Sequence, residues 1–408
     1  MLKKLALTFT LLPVAAQAFS QCDLTDIGGP GAQIVEEGSN PVVSGQWAYA
    51  GFIQDRKVTI LVASNNGATQ QPLQTIFSDK QGKPVNLRLA ATGSDLYAVW
   101  HFTLNGETQI MVAANDSHGN AKAWSTPVAL GAAQRALAQI SADGNNVHIA
   151  YVSPDNNTMV VSSADNGKTF GTPVSLGASD GEVVIASRGM DVYTAWEIGR
   201  TAPRPGVDFG YSHDGGKTFS VSNISENGVR HAHEPIMSLN QKSGRLSMVW
   251  REDTPTQGTY LQSNDEGVTW STPVVIDGDS RQFMVQDNGP AIFISYLKEF
   301  RVGSSPDWQV QLAVSKDNGA TFPFIQNLSG PTGVSKIVGD NSRPMPWSTS
   351  GQIVVTGISV DGARVWSGDK GKITTDPVYL GPGQLASPQN QVALWQEPEG
   401  VVTYAYCH

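Results

Sequence analysis

Four arginines recur at one kind of place along this chain. Arg135, Arg230, Arg281 and Arg343 each stand a short way ahead of an alternating hydrophobic run: those holding Tyr151, Trp250 and Tyr296, and the equivalent run around Gly357. A guanidinium is a planar fork of donors that suits carboxylates, phosphates and sulfates. Taken singly, each arginine is better explained as the partner of a neighbouring carboxylate. Taken as a set, they would line one opening and draw an anionic ligand into an otherwise acidic protein.

The stretch "HAHE", His231 to Glu234, adds a second kind of chemistry. In an extended strand the two histidines fall on one face. Two such donors without a third are a weak metal signal. No metal site and no cofactor is therefore expected, and His233 joins the arginines as a candidate ligand contact. Other loops mix carboxylates with cations: Glu197, Arg200 and Arg204; Arg251, Glu252 and Asp253; Lys298, Glu299 and Arg301. Such pairs can do acid–base work. As surface salt bridges they contribute little, and that is the plainer reading. Trp100, Trp196 and Trp250 occupy one recurring strand position and are expected in the core rather than on a sugar platform.

The elements that position these residues repeat. "SSADNGKTF" at Ser162 returns as "SHDGGKTF", "SNDEGVTW" and "SKDNGATF", anchored on Gly167, Gly216, Gly267 and Gly319, with weaker copies at Gly67, Gly119 and Gly371. Successive gaps are 52, 48, 49, 51, 52 and 52 residues. Around each phrase lie four short alternating runs broken by turn residues, such as "ALAQISADG", "NVHIAYVS", "MVVSSAD" and "TPVSLG". Alternation of this kind predicts antiparallel strands. Four-stranded units at a constant period predict an all-β fold, a β-propeller.

The phrase S-x-D-x-G-x-T-W/F resembles the Asp box, or BNR repeat, of the sialidase-like propellers. Asp165, Asp214, Asp265 and Asp317 are expected to accept bonds from turn amides and from Ser and Thr hydroxyls, joining the third and fourth strands of each blade. The box glycines supply positive φ, and Phe170, Phe219, Trp270 and Phe322 fill the gaps between blades. These roles are structural; a calcium site would need more converging oxygens. Eight blades are favoured, with seven as the alternative. The eighth would join two C-terminal strands, "QVALWQ" and "VVTYAYC", to two N-terminal ones, "CDLT" and "QIVEEG", and so close the ring. The chain has two cysteines, Cys22 and Cys407, and a disulfide between them would latch that closure. The resemblance also implies an exo-sialidase activity. Its F/Y-R-I-P arginine motif is missing here, and no catalytic residue can be matched.

Residues 1–18 carry Lys3, Lys4, an apolar run and Ala16-Gln17-Ala18, the pattern of a cleaved secretory leader. Residues 19–408 then form one propeller domain. Gln21 stands where a lipoprotein leader needs Gly or Ala, which disfavours a lipidated Cys22. Loss of the two lysines takes the formal charge from -9 to -11. An acidic surface argues against nucleic acid, and no apolar run is long enough to insert in a membrane. The expectation is a periplasmic or secreted monomer that binds an acidic glycan or an acidic protein segment at an arginine-lined mouth. The alternative is an exo-sialidase-like glycoside hydrolase with a non-standard site.

Overall fold

The computed structural model describes residues 21–408 apart from 35–40, 135–137, 200–204, 226–230, 290, 303–304, 330–343, 350–351, 360–361, 370–377, 382–386, 390 and 397–398. The leader at 1–18, Arg135, Arg230, Arg343, Arg200, Arg204 and the phrase around Gly371 lie outside the described residues.

Among the described residues every element is a strand except one 3-10 turn, Asn65–Gly67. The strands sort into eight antiparallel sheets, seven of four strands and one whose fourth position is shared by two short strands. The third sheet shows the pattern: Gln139–Asp143, Asn146–Val152, Asn157–Ser163 and Val174–Ala178 pair in chain order. Its second strand is buried on both faces. Val147, Ile149 and Tyr151 pack toward the second sheet, while Ala150 packs toward the fourth. A period of two therefore sorts one strand's side chains between two neighbouring sheets.

The same division runs through the whole chain. Each successive pair of sheets shares one apolar cluster, from Tyr49, Leu89 and Trp100 between the first and second to Trp308, Val355 and Trp366 between the sixth and seventh. Val365 meets Trp395 between the seventh and eighth. Ala50, Leu61, Leu394 and Tyr404 lie between the eighth and the first. Small antiparallel sheets that bury both faces against like neighbours are the architecture of a β-propeller. Trp100 and Trp196 are completely buried and Trp250 is 1% exposed, so the recurring tryptophan is core. Replacing one by alanine would cost roughly 3–5 kcal/mol.

The repeated phrase folds as a side-chain-locked turn. In the third sheet the Ser163 hydroxyl donates to Asp165 Oδ1 at 2.7 Å, Thr169 N donates to the same oxygen at 2.9 Å, and the Thr169 hydroxyl donates to Oδ2 at 2.6 Å. Asp214, Asp265 and Asp317 repeat these bonds. Three donors on one carboxylate favour its charged form and hold Asp165 and Asp317 down at about 2. The glycine answers to the neighbouring sheet as well as to its own turn. A Cβ on Gly267, at φ +88°, would lie 2.3 Å from Phe209 of the preceding sheet. On Gly67 it would lie 2.4 Å from Val392, so the first sheet is fitted to the eighth in the same way.

The chain's ends meet in the eighth sheet, in the order Cys22–Gly28, Val402–Cys407, Val392–Gln396, Ser387–Gln389. This corrects the expected split of two strands from each end: three come from the C-terminus and one from the N-terminus. After Cys22–Gly28 the backbone passes to the first sheet, where Gln33 exchanges both backbone hydrogen bonds with Ile53, which precludes the second N-terminal strand at that point. Cys22 stands opposite Cys407 in the ladder, and the two form a disulfide.

Candidate functional site

The strand order sets two rims. The Asp-box turns and the links from first to second strands share one rim. The entries to the first strands and the links from second to third strands share the other. Arg281 opens the first strand of the sixth sheet, Ser280–Asn288, and so lies on the second rim. Its guanidinium carbon sits 3.9 Å from the ring centroid of Trp308, on the third strand of that sheet. An indole face under a guanidinium is a cation–π contact that fixes the plane of the fork. Arg281 is the one member of the arginine set among the described residues.

His233 stands on the same rim, at the start of the fifth sheet's first strand, Ala232–Leu239. Side chains from the ends of two other strands surround it. Glu197 comes from the second strand of the fourth sheet, Asp191–Ile198; Arg251 and Asp253 come from the second strand of the fifth, Leu246–Asp253. The His233 Nε2–Asp253 Oδ1 distance is 2.9 Å. His231 stacks on His233 with centroids 5.1 Å apart, and lies 3.7 Å from Glu197 Oε1 and 3.6 Å from Asp253 Oδ2. Arg251 reaches Asp253 at 3.4 Å and Glu234 at 3.7 Å. The backbone is shaped to permit this: Glu234 adopts φ 55°, and the ladder register shifts between His233 and Ile236. Such a bulge re-aims side chains at a rim. The side chains of His231, His233, Glu197 and Asp253 are 13–18% exposed, so the cluster is recessed rather than on the surface.

Two expectations change here. Glu252 is not part of a surface salt bridge: it is buried, accepting from Gln257 Nε2 at 2.8 Å. Strand alternation sends it to the face opposite its neighbours Arg251 and Asp253. The histidine pair, isolated in sequence, acquires a third donor, Glu197, which sequence reasoning missed because it lies on another sheet.

A tyrosine–carboxylate pair also occurs. The Tyr296 hydroxyl donates to Asp277 Oδ2 at 2.9 Å, with Lys298 on the other oxygen. Tyr296 is fully buried, and burial followed by the adjacent Asp277 charge raises its hydroxyl far above the ordinary tyrosine range. With no exposed surface, this phenol is out of reach of a substrate, and the pair packs within the sheet.

No protein-family model matches the chain, and no curated protein does. Several solved structures are similar. A Hadza microbial sialidase, Hz136, is 14% identical over 78% of this chain and 74% of its own, with a TM-score of 0.41. A structure from a study of two prolyl endopeptidases is 12% identical over 90% of this chain, with a TM-score of 0.50. This chain spans about half of that one, 53%. The β-propeller domain of the trilobed protease from Pyrococcus furiosus is 10% identical over 80% of this chain and 96% of its own, with a TM-score of 0.46. At these identities the likeness is one of fold alone.

Proposed function

We propose that this chain is an exported, monomeric binding protein: one eight-bladed, sialidase-like propeller over 19–408, released from a leader at 1–18. It takes an acidic glycan, or an acidic protein segment, on the rim opposite the Asp boxes. Eight sheets sharing eight apolar clusters support the blade count, and the Cys22–Cys407 bridge supports a closed ring and an oxidising compartment. Arg281, laid over Trp308 at the entrance to a first strand, carries the ligand reading. Arg135, Arg230, Arg343 and His233 are assigned to the same rim by their positions ahead of the strands.

The test is a panel of sialylated, uronate-containing and neutral glycans, with acidic and neutral peptides as the second arm. Selective retention of acidic ligands, weakened at least tenfold by Arg281→Ala, supports the reading. Equal retention of neutral ligands overturns it. The hydrolase alternative takes no support from Tyr296 and Asp277, whose tyrosine is fully buried. Release of the fluorophore from a fluorogenic sialoside would revive it.

A further inference from the structure

We propose that a groove between the outer strands of the fourth and fifth sheets binds one neutral sugar ring. It lies between the fourth strand of the fourth sheet, Ser220–Asn223, and the third and fourth strands of the fifth, Thr256–Ser263 and Val274–Gly278. First strands of adjoining sheets lie against one another, so these later strands are the outer ones. The groove has a volume of about 720 Å³. Sites that take small organic ligands span roughly 300–1,000 Å³.

The groove exists because two positions that fill other seams are small here. Thr259 stands opposite Trp250 in the ladder. In the second and third sheets the same place, opposite Trp100 and Tyr151, holds Met111 and Met159, and both pack into the seam with the preceding sheet. Across the groove, Ser222 stands opposite Phe209. The matching residue of the fifth sheet is Val274, opposite Tyr260, and it packs toward the sixth sheet. Threonine for methionine and serine for valine take apolar volume from both walls and leave hydroxyls in its place.

Two buried donors are left over. Trp270 Nε1 and the Thr259 hydroxyl are buried without a hydrogen-bond partner among the described residues, and both side chains line the groove. Thr259 is 2% exposed and shares its face of the strand with Gln257 and Leu261, which line the groove too. An unpaired buried donor is costly, and a ligand oxygen that reaches it removes the penalty. Trp270 is the box aromatic of the fifth sheet. The other three full boxes hold Phe170, Phe219 and Phe322, which have no side-chain N–H to leave unpaired.

The mixture of side chains defines the ligand. Trp270, with the exposed Val268 and Val275, gives the groove an apolar strip, and Ser222, Asn223 and Gln257 add a hydroxyl and two amides to its lining. A sugar ring has the same two aspects: C–H groups that pack on an indole, and hydroxyls that exchange hydrogen bonds with side chains. The described residues that line the groove include no lysine, arginine or histidine, so a carboxylate or sulfate finds no cation among them. The groove therefore differs from the rim in place and in ligand charge, and it does not rest on the rim reading.

The experiment titrates the full mature chain with methyl glycosides of glucose, galactose, mannose, fucose and N-acetylglucosamine, read by tryptophan fluorescence and saturation-transfer NMR. Methyl glucuronide and Nile red are the acidic and apolar controls. At least one neutral glycoside should saturate at millimolar affinity or tighter. Thr259→Met and Trp270→Phe each install the residue that other sheets carry, so circular dichroism should be unchanged while that binding weakens at least tenfold. Thr259→Val, which keeps the shape and removes the hydroxyl, should weaken it severalfold and serves if the methionine variant does not fold. Arg281→Ala should leave it unchanged. Absence of saturable binding by every neutral glycoside overturns the proposal. So does binding that survives Thr259→Met, or uptake of methyl glucuronide or Nile red in preference to the neutral glycosides. Acidic-glycan retention measured in Thr259→Met tests the rim alone, so either proposal can fail without the other.

Discussion

The fourth and fifth sheets carry a histidine–carboxylate cluster at each end, and the two ends have solved different problems. On the Asp-box rim, Arg188 lies between Glu266 at 2.8 Å and Asp191 at 3.8 Å, while His213 lies 2.8 Å from Asp191. Gly244 makes room for it, since a Cβ there would sit 2.2 Å from an Arg188 nitrogen. One seam further on, Arg245 donates two hydrogen bonds to the buried Asp287, at 2.6 and 2.7 Å. The cations of this rim are built in, and they hold one sheet to the next. On the opposite rim the same residue types are recessed: Glu197, Glu234, Arg251 and Asp253 lie around two stacked imidazoles. The difference lies in exposure: the His213 side chain is 46% exposed, whereas those of His231 and His233 are each 13% exposed beside a ladder bulge. The exposed cluster is a clasp from one sheet to the next. The recessed one is a set of stacked imidazoles held among carboxylates from two sheets.

Acid offers the largest way to probe the two ends. His148, toward the Asp-box rim of the third sheet, and His101, toward the opposite rim of the second, are both buried. Burial pushes each down to about 4, with the Arg88 charge adding to the effect at His101. A group whose folded pKa lies below its unfolded 6.5 is taken up first by the unfolded chain. Stability is therefore fully present above about pH 6.5 and falls as pH drops toward 4, by roughly 3 kcal/mol for each histidine. Denaturant midpoints across that window should fall steeply, and His148→Gln should remove about half of the slope. Below pH 4 the box aspartates lose their charge-dependent bonds as well, so unfolding should continue down to about pH 2. A flat profile from pH 7 to 4 would mean that neither rim buries a neutral imidazole.

The seam between the two clusters gives the next effect. Gly267→Ala drives a methyl into Phe209 at a backbone angle of +88° and should cost about 3 kcal/mol in chemical denaturation. The smallest effect is expected from the clasp. The Arg188 side chain is 27% exposed, so Arg188→Ala should cost at most about 1 kcal/mol, and less at high salt. A much larger, salt-independent loss would show that its packing over Gly244 outweighs its charge.

Most of the scaffold was legible in the sequence because its determinants are local. Asp165 bonds to residues two before and four after it, so the box can be recognised in eight letters. Trp100, Trp196 and Trp250 are marked by strand alternation within one repeat. The candidate site was legible only in part. "HAHE" drew attention to His231 and His233, but Glu197 lies 34 residues before His231, on another sheet. Glu252 also looked like its neighbours in "WREDTPTQG", and only the pleat sends it inward. The N-terminal strand was found, and its share of the eighth sheet was not, because Gln33 follows the first sheet instead.

By itself, the sequence determined the repeating unit, its turns, its buried aromatic column and the pairing of its two cysteines. Each of these follows from contacts a few residues long, or from there being no other cysteine to choose. Tertiary structure alone decided which charged side chains from different sheets face one another. That outcome depends on how sheets stack, a relation between residues tens of positions apart that no short-range pattern encodes.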